Sequence, residues 1–212
     1  MTMARDRDQV ERLTFFSDAV FAIAMTLLVI EIHVPHLHDV TDQGLIEALA
    51  GLAPNFVGFI VSFLVIARFW TGHHRLFGMI HRVSPATVRA NLGLLMAIAF
   101  MPFPTAVLSD YASLRAAVAF YTGFLVVVGF ANMHMIRVAL RDGLTVQDEA
   151  VAHDIRLLRV SMWSPVVIGA AGLGAGLVQP GLGLLVLIVV SPLVLVLLGW
   201  LARRSAGNGA AS

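Results

Sequence analysis

Residues 14–32 read Thr14-Phe15-Phe16-Ser17-Asp18-Ala19-Val20-Phe21-Ala22-Ile23-Ala24-Met25-Thr26-Leu27-Leu28-Val29-Ile30-Glu31-Ile32. Between Phe15 and Ile30 the only charge is Asp18. At about 1.5 Å per residue, a helix of this length crosses the ~30 Å hydrocarbon layer of a bilayer. A segment in lipid must satisfy its own backbone hydrogen bonds, so helix is the default, and the run is too long for a barrel strand. The same pattern recurs over Leu52–Trp70, Val88–Leu108, Leu114–His134, Leu157–Val178 and Leu182–Leu201. These runs predict an all-α, polytopic membrane protein with six transmembrane helices per chain.

Composition agrees. Hydrophobic residues make up 58% of the 212 and charged residues 13%, with a mean hydropathy of +0.87. Soluble domains are about a quarter charged, and a soluble core cannot hide this much apolar surface. The chain has no cysteine, which removes disulfide and thiolate chemistry. Its 14 basic residues are all Arg, which removes Schiff-base and P-loop lysine chemistry.

The Arg positions predict orientation. Arg5, Arg7 and Arg12 precede the first span; Arg68, Arg75, Arg82 and Arg89 surround the second connection; Arg137, Arg141, Arg156 and Arg159 surround the fourth; Arg203 and Arg204 follow the last span. Only Arg115 falls on the other side, a ratio of thirteen to one. Cytoplasmic loops are enriched in basic residues, so both termini are expected to be cytoplasmic, as an even number of spans also requires. The acidic loop after the first span (Asp39, Asp42, Glu47) is expected outside. The mixed charge before Thr14, with no small-x-small cleavage site after the apolar run, predicts a retained first helix and not a signal peptide.

The first span has two faces. At about 100° per residue, Ile23, Thr26, Leu27 and Ile30 fall in one narrow stripe, which Ala19 and Phe16 extend. Asp18 projects about 140° away from Ile23. By periodicity alone the stripe reads as packing. An acid inside an apolar span costs roughly 2.5–3.5 kcal/mol on insertion scales, so Asp18 should face protein and have a partner. Arg12, Trp70, His73 and His74 are the candidates, and the favoured role is a buried structural anchor.

Arg12-x-x-x-Phe16-Ser17-Asp18, followed by Ala-Val-Phe-Ala-Ile23-Ala-Met-Thr26-Leu27-Leu, resembles the signature helix of the endosomal and lysosomal potassium channels of the transmembrane-protein-one-seven-five family, in particular its bacterial branch. Trp70-Thr-Gly-His73-His74-Arg75 and Met101-Pro102-Phe103-Pro104-Thr105 resemble the family less specifically. The resemblance implies a potassium-selective homotetrameric channel in the plasma membrane, with the first helix lining the pore and no nucleic-acid partner. It implies that Ile23 is a hydrophobic constriction continued by Leu27 and Ile30, and that Thr26 offers a hydroxyl layer to the ion. Arg12, Phe16, Ser17 and Asp18, with Trp70, His73 and His74, are then the motif and packing network that holds the helix. Residues 1–205 are expected to form one channel domain and 206–212 a short disordered tail. Potassium is the permeant species; no cofactor and no structural metal is expected.

The chain has no Thr-Val-Gly-Tyr-Gly loop, so selectivity has to come from a narrow apolar ring and a weak polar layer in place of a ring of carbonyls. The alternative is a small proton-coupled secondary transporter with Asp18 as relay. A transporter should carry a charge at the midplane of interrupted helices, whereas the middle of the first helix is apolar. An enzyme is not expected: no Ser-His-Asp order, Gly-rich phosphate loop or Glu-x-x-His motif occurs. His33, His36 and His38 have neither helical-pair nor finger spacing and read as solvated loop residues. His73 and His74 read first as interfacial anchors, with a pH-sensing role as the alternative. Gly172 and Gly176 read as close packing within one subunit. Met101-Pro102-Phe103-Pro104 predicts a kink, and Gln179-Pro180-Gly181 a tight turn.

Overall fold

The computed structural model describes residues 2–37, 40–143, 155, 158–159, 162–190 and 193. Among these residues every regular element is helical. Helix α1 (Thr2–Leu27) runs into a 3₁₀ turn, Leu28–Glu31. It is followed by α2 (Asp42–Gly51), α3 (Ala53–Phe77), α4 (Pro85–Phe100), α5 (Pro102–Asp110), α6 (Arg115–Gly143), α7 (Ser164–Val178) and α8 (Pro180–Leu185), which widens into a π turn over Val186–Val190. Four stretches are long and apolar enough to cross a membrane: Arg5–Glu31, Ala53–Phe77, Pro85–Asp110 and Arg115–Asp142. They cover the first four expected spans to within one residue at an end. Described parts of the fifth and sixth are the shorter apolar helices Ser164–Val178 and Pro180–Val190. Leu157 and residues 194–201 of those expected spans, together with His38, Asp39, Arg156, Arg203, Arg204 and the 206–212 tail, lie outside the described residues.

Local sequence explains the boundaries. Proline stands in the first turn of α3, α4, α5, α7 and α8, where its missing N–H costs no helical bond. Ser84 caps α4 by accepting from the Thr87 N–H at 3.1 Å. The expected kink falls between α4 and α5: Pro102 cannot donate to the carbonyl of Ile98, which takes the Met101 N–H at 3.1 Å instead. The expected turn before α8 is present, with Gln179 extended and Pro180 opening the helix.

Two features differ from the sequence reading. Helix α2 falls in what reads as a plain acidic loop; Thr41 caps it by accepting from the Gly44 N–H at 3.1 Å. It is too short for a span, so the hydropathy signal passes over it. Helices α3 and α6 run well past the apolar runs, to Phe77 and Gly143. Arg75, His73 and His74 are therefore on α3, and Arg137 and Arg141 on α6. Lipid thickness limits an apolar run but not a helix, which continues while its backbone stays satisfied.

Helix α1 lies at one edge of the bundle against α3 and α4. Helix α6 sits between α4 and α5 on one side and α7 on the other, with α8 packed on α7. The core is filled by Phe21 and Leu28 of α1, Ile66 and Leu76 of α3, Leu94 and Ile98 of α4, and Tyr121 and Met135 of α6. The antiparallel course of the helices gathers Arg12, Arg75, Arg82, Arg89, Arg137 and Arg141 at one end, with Arg115 at the other.

Candidate functional site: the two faces of the first helix

Helix α1 and the turn that continues it bury Val10, Ser17, Phe21, Ala24 and Leu28, a repeat of three and four residues that forms one face. Its polar member, Ser17, joins a buried network. Ser17 Oγ donates to the Leu13 carbonyl at 2.8 Å, a bond that stays within the helix. Ser17 Oγ also accepts from Asn91 Nδ2 of α4 at 2.9 Å. Asn91 Oδ1 lies 2.9 Å from His73 Nε2 of α3. With the Asn91 amide donating to Ser17, its oxygen accepts, so the network assigns the proton of His73 to Nε2. The imidazole stacks on Phe77 with ring centroids 4.2 Å apart and touches the Phe21 ring at 5.4 Å. Its Nδ1 is buried and has no hydrogen-bond partner among the described residues. Ser17, His73 and Asn91 are buried and tie α1, α3 and α4 together.

Asp18, half-buried beside this network, accepts from Trp70 Nε1 at 2.8 Å. The indole lies 5.6 Å from the His74 ring. Of the candidate partners, Trp70 is the one brought to the carboxylate. Arg12 is exposed and lines a groove with Arg89. Six residues at about 100° turn Arg12 some 120° away from Asp18, so the two cannot share a face. Asn91 was not among the candidates; its signal is an amide placed among the apolar residues of the third run, Val88–Leu108. A second buried cluster lies about three turns back along α3 from His73: Thr105 Oγ1 donates to Ser62 Oγ at 2.8 Å, and Ser62 lies 2.9 Å from Tyr121 Oη.

The opposite face of α1 has no covering element among the described residues. Phe16, Ala19, Ile23, Thr26, Leu27 and Ile30 are all exposed, Ile23 by 57% and Ile30 by 64%. The stripe read from the sequence is therefore a real face, but the described residues do not use it for internal packing. One register detail changes. The 3₁₀ turn over Leu28–Glu31 advances about 120° per residue, so Ile30 eclipses Leu27 instead of lagging it. Thr26 Oγ1 donates to the Ile23 carbonyl at 2.9 Å. Its proton is thus held by the backbone, and the oxygen lone pairs are left to whatever faces the stripe.

His33 and His36 lie exposed in the segment after α1, and His38 is outside the described residues. No group of His, Asp or Glu with metal-binding geometry occurs among the described residues.

Residues 12–102, which contain both the stripe and the network, match the family described as endosomal/lysosomal potassium channel TMEM175. A potassium channel of Chamaesiphon minutus is 38% identical over 159 residues, covering 73% of this chain and 78% of that protein. A potassium channel of Streptomyces collinus is 36% identical over 185 residues, covering 83% of this chain and 89% of that protein. The fold matches a crystal structure of a lysosomal potassium-selective channel TMEM175 homologue from Chamaesiphon minutus. That match has a TM-score of 0.76 and 30% identity, and covers 93% of this chain and 98% of the other.

Proposed function

The chain belongs to the endosomal/lysosomal potassium channel TMEM175 family, and from that premise we propose how it conducts: a potassium channel, not an enzyme, whose pore is lined by the exposed stripe of α1. The observation that carries the mechanism is the division of labour on one helix. Ser17 and Asp18 bond to α3 and α4 on one side, while Ile23, Thr26, Leu27 and Ile30 stay uncovered on the other. Four copies bring these faces to a common axis in the plasma membrane. Six spans per chain and two cytoplasmic termini follow from the apolar runs and from the Arg residues gathered at one end.

The physics of this pore is that of a narrow apolar ring. Branched side chains at Ile23, continued by Leu27 and Ile30, expel water when the ring is tight, and a small widening lets water and ions through. A permeating potassium ion sheds part of its hydration at the ring. Thr26 then offers hydroxyl oxygens whose protons already point back to the Ile23 carbonyl. Asp18 holds the helix through Trp70 and plays no part as a relay.

The test is reconstitution in liposomes. Purified protein should pass potassium down its gradient without saturable exchange; obligatory counter-transport of protons would mean the carrier reading is right instead. In planar bilayers, Ile23→Ala should raise current and lower potassium preference, because a wider ring lowers the dehydration barrier for every cation. Thr26→Val, with nearly the same shape, should lower preference with little change in current. Wild-type conductance and reversal potential in both variants would remove α1 from the conduction path.

A further inference from the structure

We propose that the groove between the start of α1 and the start of α4 binds the phosphate-bearing headgroup of an anionic phospholipid. The groove has a volume of about 760 Å³ and is open on one side. Arg12 and Gln9 of α1 and Arg89 of α4 supply its charged and amide groups, and Leu13, Phe16 and Val88 supply apolar wall. No acid lines it. On α1, Asp8 stands one turn before Arg12 and outside the groove lining; other nearby acids are engaged elsewhere. Glu11 pairs with Arg7 at 3.4 Å. Asp142, on α6, accepts from the Ser84 hydroxyl at 2.6 Å, and its backbone carbonyl accepts from Arg82 at 2.8 Å.

The two chemistries present together select the ligand. Guanidinium groups match the oxygens of a phosphodiester in charge and in hydrogen-bond geometry. A soluble phosphate needs only that half of the site. The apolar half fits acyl chain, and its level fits as well: Arg12 stands two residues before the apolar run that opens at Thr14, and Arg89 one residue inside the run that opens at Val88. Both guanidinium groups are exposed and sit where water gives way to hydrocarbon, at the Arg-rich end of the bundle. Basic residues at that depth draw anionic lipid. Arg12 and Phe16 lie on the side of α1 that carries the exposed stripe, so the groove opens at the basic end of the proposed pore face, and the inference rests on that reading only for this placement.

Native mass spectrometry of the full-length protein in detergent tests it, with phosphatidylglycerol, phosphatidylcholine and inorganic phosphate as probes. Phosphatidylglycerol should be retained at lower lipid concentration than phosphatidylcholine. Arg12→Gln and Arg89→Gln should each weaken its retention roughly fivefold. Arg89→Lys, which keeps the charge, should hold most of the retention, and Arg115→Gln at the opposite end should leave it unchanged. Equal retention of the two lipids, or full retention in Arg89→Gln, overturns the proposal. So does displacement of phosphatidylglycerol by inorganic phosphate, which would make the groove a free-anion site. Loss of the oligomer in Arg89→Gln with lipid retention intact also overturns it, because a second copy would then be the occupant. The readout is the mass of the bound lipid and not current, so a failed conduction assay and a failed lipid site are distinguishable.

Discussion

At the residue scale, the buried groups of α1 matter because lipid offers them no alternative partner. Asn91 satisfies two neighbours at once, Ser17 through its nitrogen and His73 through its oxygen. Asn91→Ala therefore leaves the imidazole N–H buried without its acceptor, a penalty of about 1–3 kcal/mol, while Ser17 loses one donor but keeps its bond to the Leu13 carbonyl. We expect a clear fall in thermal midpoint in detergent, while any assembled channel keeps its ion preference. Asp18→Ala strands only the Trp70 indole, which is half-buried, yet it also removes the one side-chain bond from Asp18 to α3. It should impair folding or assembly more than selectivity, and Asp18→Asn, which can still accept from Trp70, should recover most of the yield. A well-assembled Asp18→Ala channel with altered potassium preference would show that the carboxylate acts on the ion. The existence of this anchor was legible in the sequence, because an acid in an apolar helix needs a partner and helical geometry fixes its direction. Asn91 was not, because neither pattern nor spacing links residues 74 apart in the chain.

At the scale of elements, the last two described helices approach through glycine. A Cβ on Gly183 of α8 would lie 2.8 Å from the Gly176 Cα and 2.6 Å from Val118 Cγ1; on Gly176 it would meet the same Val118 methyl at 2.6 Å. On Gly172 it would meet Thr122 Cγ2 at 3.0 Å. The Gly172 and Gly176 pair thus serves packing of α7 on α6 within the chain, as its spacing suggested. Gly183→Ala should destabilise by about 1–3 kcal/mol through overpacking. Gly174→Ala, with nothing within 4 Å, removes a poor helix former at no steric cost and should stabilise by up to about 1 kcal/mol. Thermal unfolding of the two variants beside the parent checks this; the reverse order would mean that α7 and α8 pack differently. The spacing of small residues was visible in the sequence, but Gly183 as the site of closest approach was not, because it depends on how the Gln179–Pro180 turn sets α8 against α7.

At the scale of the whole molecule, the uncovered stripe of α1 and the clustering of Arg call for an assembly and an orientation. We expect tags at both ends to be reachable only from the cytoplasmic side, and the detergent complex to have four times the 22.8 kDa mass of the chain. An external tag would end the six-span topology, and a stable monomer that conducts would end the shared axis. The sequence by itself determined that this is an all-helical membrane protein, where most spans begin, that Asp18 is turned away from the Ile23 stripe, and that the basic residues favour one side. These are readable because bilayer thickness, backbone satisfaction in lipid and helical periodicity act on consecutive residues. Only the tertiary structure decided that the described residues leave the stripe open, that Trp70 and not His73 or His74 bonds Asp18, that Asn91 joins Ser17 to His73, and that α3 stays helical to Phe77. Those outcomes depend on which helices become neighbours, and in lipid an apolar face looks the same to the sequence whether it meets another helix, an acyl chain or a second copy of itself.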